Sequence, residues 1–404
     1  MLSTNIVRLG SGKVQSNHRD PSPKLQPVTQ NLATPSSVRE AEPGWVGLLR
    51  LNTKGDAFRE NLKKISLYWR PYDTYWRSPD PAAQLAVSPV PVGRYPLDFA
   101  FQLKSGHFAN FDPAGLPVQR CRDGNGFIHN YTMMCGFALA HWERYLETGN
   151  SDLQANLLGV ARYILDSAEH RRDGSLVLHA ERPGQGHVGE LSSMFQGQAI
   201  SVLCRAWLAT GDRSFLDAAR GCLGPFEVPV DQGGVLGTIS AIGVPWYEEY
   251  PTDSLNHVLN GMIFALWGLR DLFEVTRDAR AGRIFETGVE SVVRALPLFD
   301  NGFWSWYWVA ESDPPYITSM MYHSMHVCQL QSLAAQTDRE ELRSYALRFQ
   351  SYANSLVCRS RAVATMVGAK FALASGGRRN FTARLEEHNA RFSQPGRETI
   401  SHLK

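Results

Sequence analysis

The chain has 404 residues, of which 43% are apolar and 20% charged, and its formal net charge is +2. This near-neutral balance excludes a typical nucleic-acid protein, because such proteins bind through clustered Lys and Arg. No uncharged apolar run approaches the roughly 18 residues that cross a bilayer, so we expect no nucleic-acid partner and no transmembrane segment.

The six cysteines are widely separated and form neither a CxxC pair nor a His-containing metal spacing. Several lie in apolar helical stretches, where a free thiol behaves as a small hydrophobic group. We therefore predict reduced core cysteines, no metal, no cofactor and a cytoplasmic location. The first twenty residues contain no apolar segment of a secretory signal, which agrees with that location.

Four regions follow one another along the chain. Residues 1–44 contain five prolines and no aromatic residue, and such a composition predicts a flexible leader. Residues 45–126 are rich in Pro and Gly with short alternating runs, which predicts an irregular region with β-hairpins. Residues 127–358 are predicted to form the catalytic domain, and residues 359–404 a basic C-terminal tail.

The catalytic region repeats one module four times, namely an apolar helix, a tight polar turn and a second helix. In each turn an Asn or Asp is expected to cap the second helix. The modules are joined by links of unequal length, unlike those of a regular solenoid. The sequence therefore predicts a mainly α fold, an (α/α) toroid or barrel of about four helical hairpins, with a small irregular or β-hairpin N-terminal region. The turns lie at 147–153, 209–216, 274–280 and 335–342.

Three links concentrate aromatic and polar residues where a plain connection needs neither. They cover residues 192–201, 244–261 and 299–330, and each leads into a helix of the repeat. We expect them to meet at one end of the toroid. Trp and Tyr rings suit the apolar faces of sugars, and carboxylates and imidazoles suit hydroxyl binding and proton transfer.

Other interpretations of these residues stay open at this point. A single Tyr is more often a packed ring than a catalytic acid, and a Glu-Glu pair is usually a solvated corner. His323 and His326 have no HExxH context, which argues against zinc. Residue spacing alone thus supports a helical toroid with a carbohydrate cleft, for example that of a hydrolase.

Several segments, taken in order, resemble the heparosan and heparan sulfate D-glucuronyl C5-epimerases. The resemblance rests on MFQGQAIS, WYEEYP with VLNG, FDNGFWSWYW and MMYHSMHVCQL, and it is strongest over residues 190–355. It implies an (α/α) barrel that inverts C5 of a uronic acid in a polysaccharide, in a reduced, bacterial-type version of the family's C-terminal catalytic domain. An acidic polysaccharide is then the expected partner, and a homodimer is left open.

The resemblance also implies site residues. The family's tyrosines correspond to Tyr250, Tyr307 and Tyr322, and its acid corresponds to Glu249. Because the C5 proton is only weakly acidic, the reaction needs a base on one face and a proton donor on the other. We predict Tyr250 and Tyr322 as this opposed pair, with Glu249 assisting and with Tyr307 and His326 positioning. Further predicted substrate-binding residues are Gln196, Asn256, Asn260, His129, Tyr131, Trp246 and Trp306.

One departure from the family pattern matters for function. Where the family carries an Arg suited to the substrate carboxylate, this chain has Ala310. Two alternatives to the epimerase stay open, and the second is prompted by Ala310. The same C5 anion can expel the neighbouring sugar by β-elimination, as in a polysaccharide lyase, or the protein can be an inactive glycan-binding homologue.

Overall fold

In the computed structural model, the chain divides into two units, Met1–Gly47 and Leu48–Lys404, and all described residues belong to the second. The predicted leader and most of the predicted N-terminal region lie outside the described residues, as does the chain beyond residue 374. The described residues are 93–99, 102–103, 107–121, 126–182, 184–252, 255–310 and 316–374.

Four helical hairpins dominate the described part of the chain. In each hairpin the first helix is mostly buried and the second exposes more of its surface. The first helices contact one another in chain order, so they form an inner layer that the second helices cover. The predicted mainly α fold of about four α/α hairpins is confirmed. The hairpins are α1 (Tyr131–Thr148) with α2 (Ser151–Ser167), α3 (Ser193–Thr210) with α4 (Arg213–Gly221), α5 (Leu259–Thr276) with α6 (Ala279–Ala295), and α7 (Met320–Thr337) with α8 (Glu340–Asn354).

The four turns share one geometry, in which a residue in the left-handed region ends the first helix. The side chains of Asn150, Asp212 and Asp278 then accept a backbone N–H of the second helix, as predicted. The fourth turn is different, and the prediction there is wrong. Because its order is Asp-Arg, Asp338 takes the left-handed position at φ 53°, and Arg339 takes the cap without a side-chain hydrogen bond.

The inner helices α3 and α5 are in direct backbone contact. A Cβ on Gly268 would overlap the carbonyl of Gly197, and a Cβ on Gly197 would overlap the backbone of Ala265. Glycine at both positions is therefore required by close approach of the helices. This contact fixes the position of α5 relative to α3, and the candidate site lies at the beginning of α5.

Short antiparallel strand pairs occupy the segment before the first hairpin and the links between hairpins, the latter described in the sequence analysis only as irregular. Each pair forms its own two-stranded sheet. Most of them lie inside the predicted catalytic domain, and β9 with β10 joins two links that are distant in sequence. The pairs are β1 (Gln119–Arg120) with β2 (Phe127–Ile128), β3 (Glu169–His170) with β4 (Leu176–Val177), β5 (His179–Arg182) with β6 (Gly186–Leu191), β7 (Leu236–Ile239) with β8 (Val244–Tyr247), and β9 (Asn256–Val258) with β10 (Trp308–Ala310).

A further helix, α9 (Leu356–Ala374), follows the last hairpin. It packs Ala362 and Met366 against Trp304 in a small second core. The predicted basic tail therefore begins within a helix. All six cysteines are free thiols and all except Cys358 are buried, as expected of core residues. No helix in the described ranges is both long and apolar enough to cross a membrane.

Candidate active site

Glu249 and Tyr250 lie just after β8, separated from it by Glu248, and they differ in exposure. Glu249 is buried, whereas Tyr250 is 49% exposed. Burial raises the pKa of Glu249 to about 7, and a hydrogen bond donated by the Tyr250 hydroxyl opposes that rise. The charge of Glu249 in turn raises the pKa of Tyr250 well above its ordinary value. A carboxylate that titrates near neutral pH is thus coupled to a phenol that solvent can reach.

The first turn of α5 packs closely against the side chain of Glu249. A Cβ on Gly261 would lie 2.7 Å from Cβ of Glu249 and would overlap its carboxylate. Only glycine leaves room for the acid at this place. Oε2 of Glu249 is buried and has no hydrogen-bond partner among the described residues, so this oxygen remains available as an acceptor.

Tyr307 and Tyr322 complete the arrangement. Their rings meet edge to face, with centroids 4.8 Å apart and planes at 72°. The Tyr307 hydroxyl is within hydrogen-bond reach of the hydroxyls of both Tyr250 and Tyr322. Burial, followed by the charge of Glu249, raises the pKa of Tyr307 and of Tyr322. We call Glu249, Tyr250, Tyr307 and Tyr322 the Glu–Tyr cluster.

Local structure explains how these residues meet. Strand β9 runs into α5 without a gap and pairs with β10, so that Trp308 lies opposite Val258. This pairing brings Tyr307, which precedes β10, to the beginning of α5. The Ser319 side chain accepts the backbone N–H of Tyr322 and so caps α7, which places Tyr322 in the first helical turn.

The predicted residue His326 lies one turn further along α7 and is fully buried. Its Nδ1 is 3.1 Å from Oγ of Ser305, and that hydroxyl is 2.8 Å from Nδ1 of His323. Burial lowers the pKa of each imidazole to about 3, so both rings are neutral at neutral pH. His326 thus belongs to a buried polar network beside the Glu–Tyr cluster.

Gln196 and Trp246 are placed differently from the sequence prediction. The Gln196 side chain is fully buried, donates to the carbonyl of Leu176 and accepts the N–H of Leu178. Trp246 is also fully buried and stacks on Phe299 with ring centroids 5.6 Å apart. Both side chains are core groups that join elements of the fold.

His129 belongs to a second polar cluster. Its two ring nitrogens lie 3.1 Å from Oε2 of Glu181 and 3.0 Å from Oδ2 of Asp112. The Tyr163 hydroxyl lies 2.7 Å from Nε2 of His187, and the Tyr163 ring lies against His129. We call Asp112, His129, Tyr163, Glu181 and His187 the His129 cluster. Both ring nitrogens of His129 and the Tyr163 hydroxyl therefore have hydrogen-bond partners within this cluster.

Tyr131 lies next to this second cluster. It is 1% exposed, its hydroxyl is 2.9 Å from Oγ of Ser167, and its ring neighbours are His187 and Phe195. The structure therefore groups His129 and Tyr131 together, and none of the contacts described here joins them to the Glu–Tyr cluster.

The remaining predicted residues lie close to the Glu–Tyr cluster. Asn256 begins β9 directly opposite Ala310, so their side chains share one face. Asn260 is buried at the beginning of α5, and its carbonyl accepts from Gln329 Nε2 at 3.1 Å. Trp306 is half-buried on the segment that carries Tyr307.

Three features were missed by the sequence analysis. Glu248, which received no role in the sequence analysis, is fully buried and pairs with His257 at 2.7 Å. Ser305 links the two α7 histidines, and Gly261 makes room for Glu249. For Ser305 and Gly261, the signal in the sequence was a small residue inside a conspicuous motif, WSWYW or VLNG. In the described part of the chain, no three His, Cys, Asp or Glu side chains are grouped to hold a metal ion.

Fold and site together define a class, a mainly α protein of α/α hairpins in which a buried carboxylate and three phenols meet at the beginnings of α5 and α7, an arrangement suited to proton transfer. Residues 179–351, less than half of the chain, match the family described as D-glucuronyl C5-epimerase C-terminus. The match contains every residue of the Glu–Tyr cluster.

Two curated relatives cover parts of the same region. The D-glucuronyl C5-epimerase of Caenorhabditis elegans is 34% identical over 177 residues, which are 40% of this chain and 28% of the worm protein. An uncharacterised protein of Methanocaldococcus jannaschii is 32% identical over 121 residues, which are 30% of this chain and 39% of that protein. The matches thus span about a third of the length of these relatives.

Solved structures give weaker matches. A GH76 α-mannanase of Bacteroides thetaiotaomicron has a TM-score of 0.42 at 14% identity, over 68% of this chain and 72% of the other. The cellobiose 2-epimerase of Spirochaeta thermophila has a TM-score of 0.41 at 11% identity, over 60% of each chain. At this level the similarity says nothing about chemistry.

Proposed function

We propose that the protein is a polysaccharide uronate C5-epimerase, which converts D-glucuronate into L-iduronate residues. The observation that carries this proposal is the Glu–Tyr cluster. Tyr250 and Tyr322 both interact with Tyr307, and Tyr250 is also hydrogen-bonded to the Glu249 carboxylate. The activity in the name of the worm relative and the family match over residues 179–351 support the same reaction.

The spacing of the phenols suits a reaction at one carbon. The hydroxyls of Tyr250 and Tyr322 both reach the Tyr307 hydroxyl, so at most about two hydrogen-bond lengths, roughly 6 Å, separate them. Reacting atoms in a productive complex are about 3–3.5 Å apart. A carbon held between the two hydroxyls is therefore within range of both.

The raised pKa values determine how protons move. All three phenols are protonated at neutral pH, whereas Glu249 titrates near 7. In the proposed reaction, ionised Glu249 takes the Tyr250 proton while the Tyr250 oxygen takes the proton from C5. Tyr322 then gives its own proton to C5 from the opposite face, and the configuration is inverted. Tyr307, within reach of both hydroxyls, then passes a proton from Tyr250 to the Tyr322 phenolate, and Glu249 returns its proton to Tyr250, which restores the starting state.

The substrate carboxylate needs a partner other than the missing Arg. Asn256 lies opposite Ala310 in the β9–β10 pair, so its side chain is on the face that carries Ala310. We propose that its carboxamide, oriented with its N–H groups outward, binds the carboxylate of the reacting sugar. A neutral donor stabilises the enolate-like intermediate less than a cation does.

The test is product analysis with a panel of glucuronate-containing polymers, heparosan included, in heavy water. Epimerisation gives iduronate signals in the NMR spectrum together with deuterium at C5. A lyase gives an ultraviolet-absorbing unsaturated uronate, and an inactive binding protein gives neither product nor exchange. Either of the last two results would overturn the proposal.

A further inference from the structure

Ser305 lies between two buried histidines of α7, and its hydrogen bonds determine where each histidine proton is. Nε2 of His323 is 2.8 Å from the carbonyl of Phe349, which only accepts, so Nε2 of His323 carries hydrogen. Nδ1 of that neutral ring therefore has a lone pair. The backbone N–H of Ser305 donates to it at 3.3 Å, which agrees with this assignment.

The Ser305 hydroxyl has a single hydrogen. Oγ of Ser305 is 2.8 Å from Nδ1 of His323, and since that nitrogen accepts, the hydroxyl donates to it. The nearby Thr318 hydroxyl, 3.0 Å away, donates to the backbone carbonyl of Ser305. At the 3.1 Å contact with His326, the oxygen of Ser305 can then only accept, so Nδ1 of His326 carries hydrogen.

Neutral His326 therefore has its lone pair on Nε2. This atom is buried and has no hydrogen-bond partner within the described ranges. Gln329, three residues further on the same face of α7, donates to the carbonyl of Asn260 at the beginning of α5. Gly261, the next residue, contacts the Glu249 carboxylate. The face of α7 that carries His326 thus meets the Glu–Tyr cluster.

From this chain of contacts we infer that Ser305 is a positioning residue of the candidate site. It holds His326 in the tautomer with hydrogen on Nδ1, so that Nε2 accepts a hydrogen bond from a hydroxyl of the bound sugar. The tautomer follows from the hydrogen bonds alone, whereas the role of the lone pair rests on the proposed function. A histidine in the wrong tautomer loses its role even when its position is kept.

The experiment is nitrogen-15 NMR of the histidine rings in the full chain, because protonated and bare ring nitrogens have distinct chemical shifts. We expect hydrogen on Nδ1 of His326 in the wild type and on Nε2 in Ser305→Ala. Thr318→Val is the matched control, since it removes a neighbouring hydroxyl from the same pocket but leaves the His–Ser–His contacts, and it should keep the wild-type tautomer.

Two further readouts extend the test to function. A glucuronate oligosaccharide should shift the Nε2 resonance of His326 in the wild type, and Ser305→Ala should lower kcat at least tenfold with a smaller change in KM. Hydrogen on Nε2 of wild-type His326 would overturn the inference, as would a bound oligosaccharide that leaves this resonance unchanged. Since the tautomer is measured without ligand, its confirmation is independent of whether any polymer is epimerised.

Discussion

The Glu–Tyr cluster and the His129 cluster contain similar side chains, but their polar atoms differ in how completely they are hydrogen-bonded. In the His129 cluster each ring nitrogen and phenol faces a partner at 2.7–3.1 Å. In the Glu–Tyr cluster and the network beside it, Glu249 Oε2 and His326 Nε2 are buried without a partner in the described part of the chain. Buried polar groups without partners are costly, and a bound ligand that donates to these two acceptor atoms would remove that cost. We infer that the Glu–Tyr cluster is the candidate reaction site, whereas the His129 cluster joins α2 and the β5–β6 pair to the segment before α1.

Replacement of one tyrosine in each cluster should give the largest difference between the two clusters. Tyr322→Phe deletes a proton donor, and we expect iduronate formation to fall by about 10²–10⁴-fold. The same substitution at Tyr163 should leave the rate within about twofold, because that hydroxyl serves only the His129 cluster. Initial rates measured by NMR, with circular dichroism as a check on folding, would test both. A similar loss in both variants would contradict the assignment.

Glu249→Gln should remove the pH response of the site. Activity of the wild type should rise as pH increases through about 7, because Glu249 must be ionised to accept a proton. We expect the variant to lose this rise together with about 10²-fold of its rate. The control is Glu181→Gln, which changes a carboxylate of the His129 cluster and should leave the pH profile intact.

Stability should change with pH in the opposite sense. The folded pKa of Glu249, about 7, lies above the ordinary value of 4.5. Between these values the folded protein keeps a proton that the unfolded chain releases, so the free energy of unfolding falls as pH rises. Relative to the wild type, Glu249→Gln should gain up to about 3 kcal/mol between pH 4 and pH 8. Urea unfolding at both pH values measures this gain, and no relative gain would contradict the burial of the charge.

The smallest expected effect comes from Gly261, which packs against the Glu249 carboxylate. Gly261→Ala should displace the Glu249 carboxylate and lower kcat roughly tenfold to a hundredfold, with a loss of about 1–3 kcal/mol in stability. Gly159→Ala in α2 is the control. Its new Cβ would meet only Leu116 at an ordinary 3.5 Å, so activity should not change and stability should rise by up to about 1 kcal/mol. Equal kcat values for the two variants would contradict the claim that glycine is required at position 261 to make room for the Glu249 carboxylate.

The sequence predicted the helical hairpins well because their apolar periodicity and polar turns are local signals. The fourth turn shows the limit, since the exchange of Asp and Arg at 338 and 339 changes which residue becomes the cap. The strands β9 and β10 could not be predicted, because a three-residue pairing between distant links has no local pattern.

The candidate site was predicted in part. The family resemblance gave Glu249 and the three tyrosines, which the structure brings together. It could not show that Gln196 and Trp246 are enclosed in the core, because their chemistry alone is compatible with a cleft. It also could not identify Ser305, whose importance comes from two histidines that approach it in space.

The central claim is that Tyr250 and Tyr322 approach one sugar carbon from opposite faces. The most direct test is a crystal structure of Tyr322→Phe with a bound glucuronate oligosaccharide. We predict that C5 of one glucuronate lies about 3.5 Å or less from the Tyr250 oxygen, with the Phe ring at position 322 on its other face. An oligosaccharide bound with both residues on the same side of the sugar, or bound at the His129 cluster instead, would contradict the account.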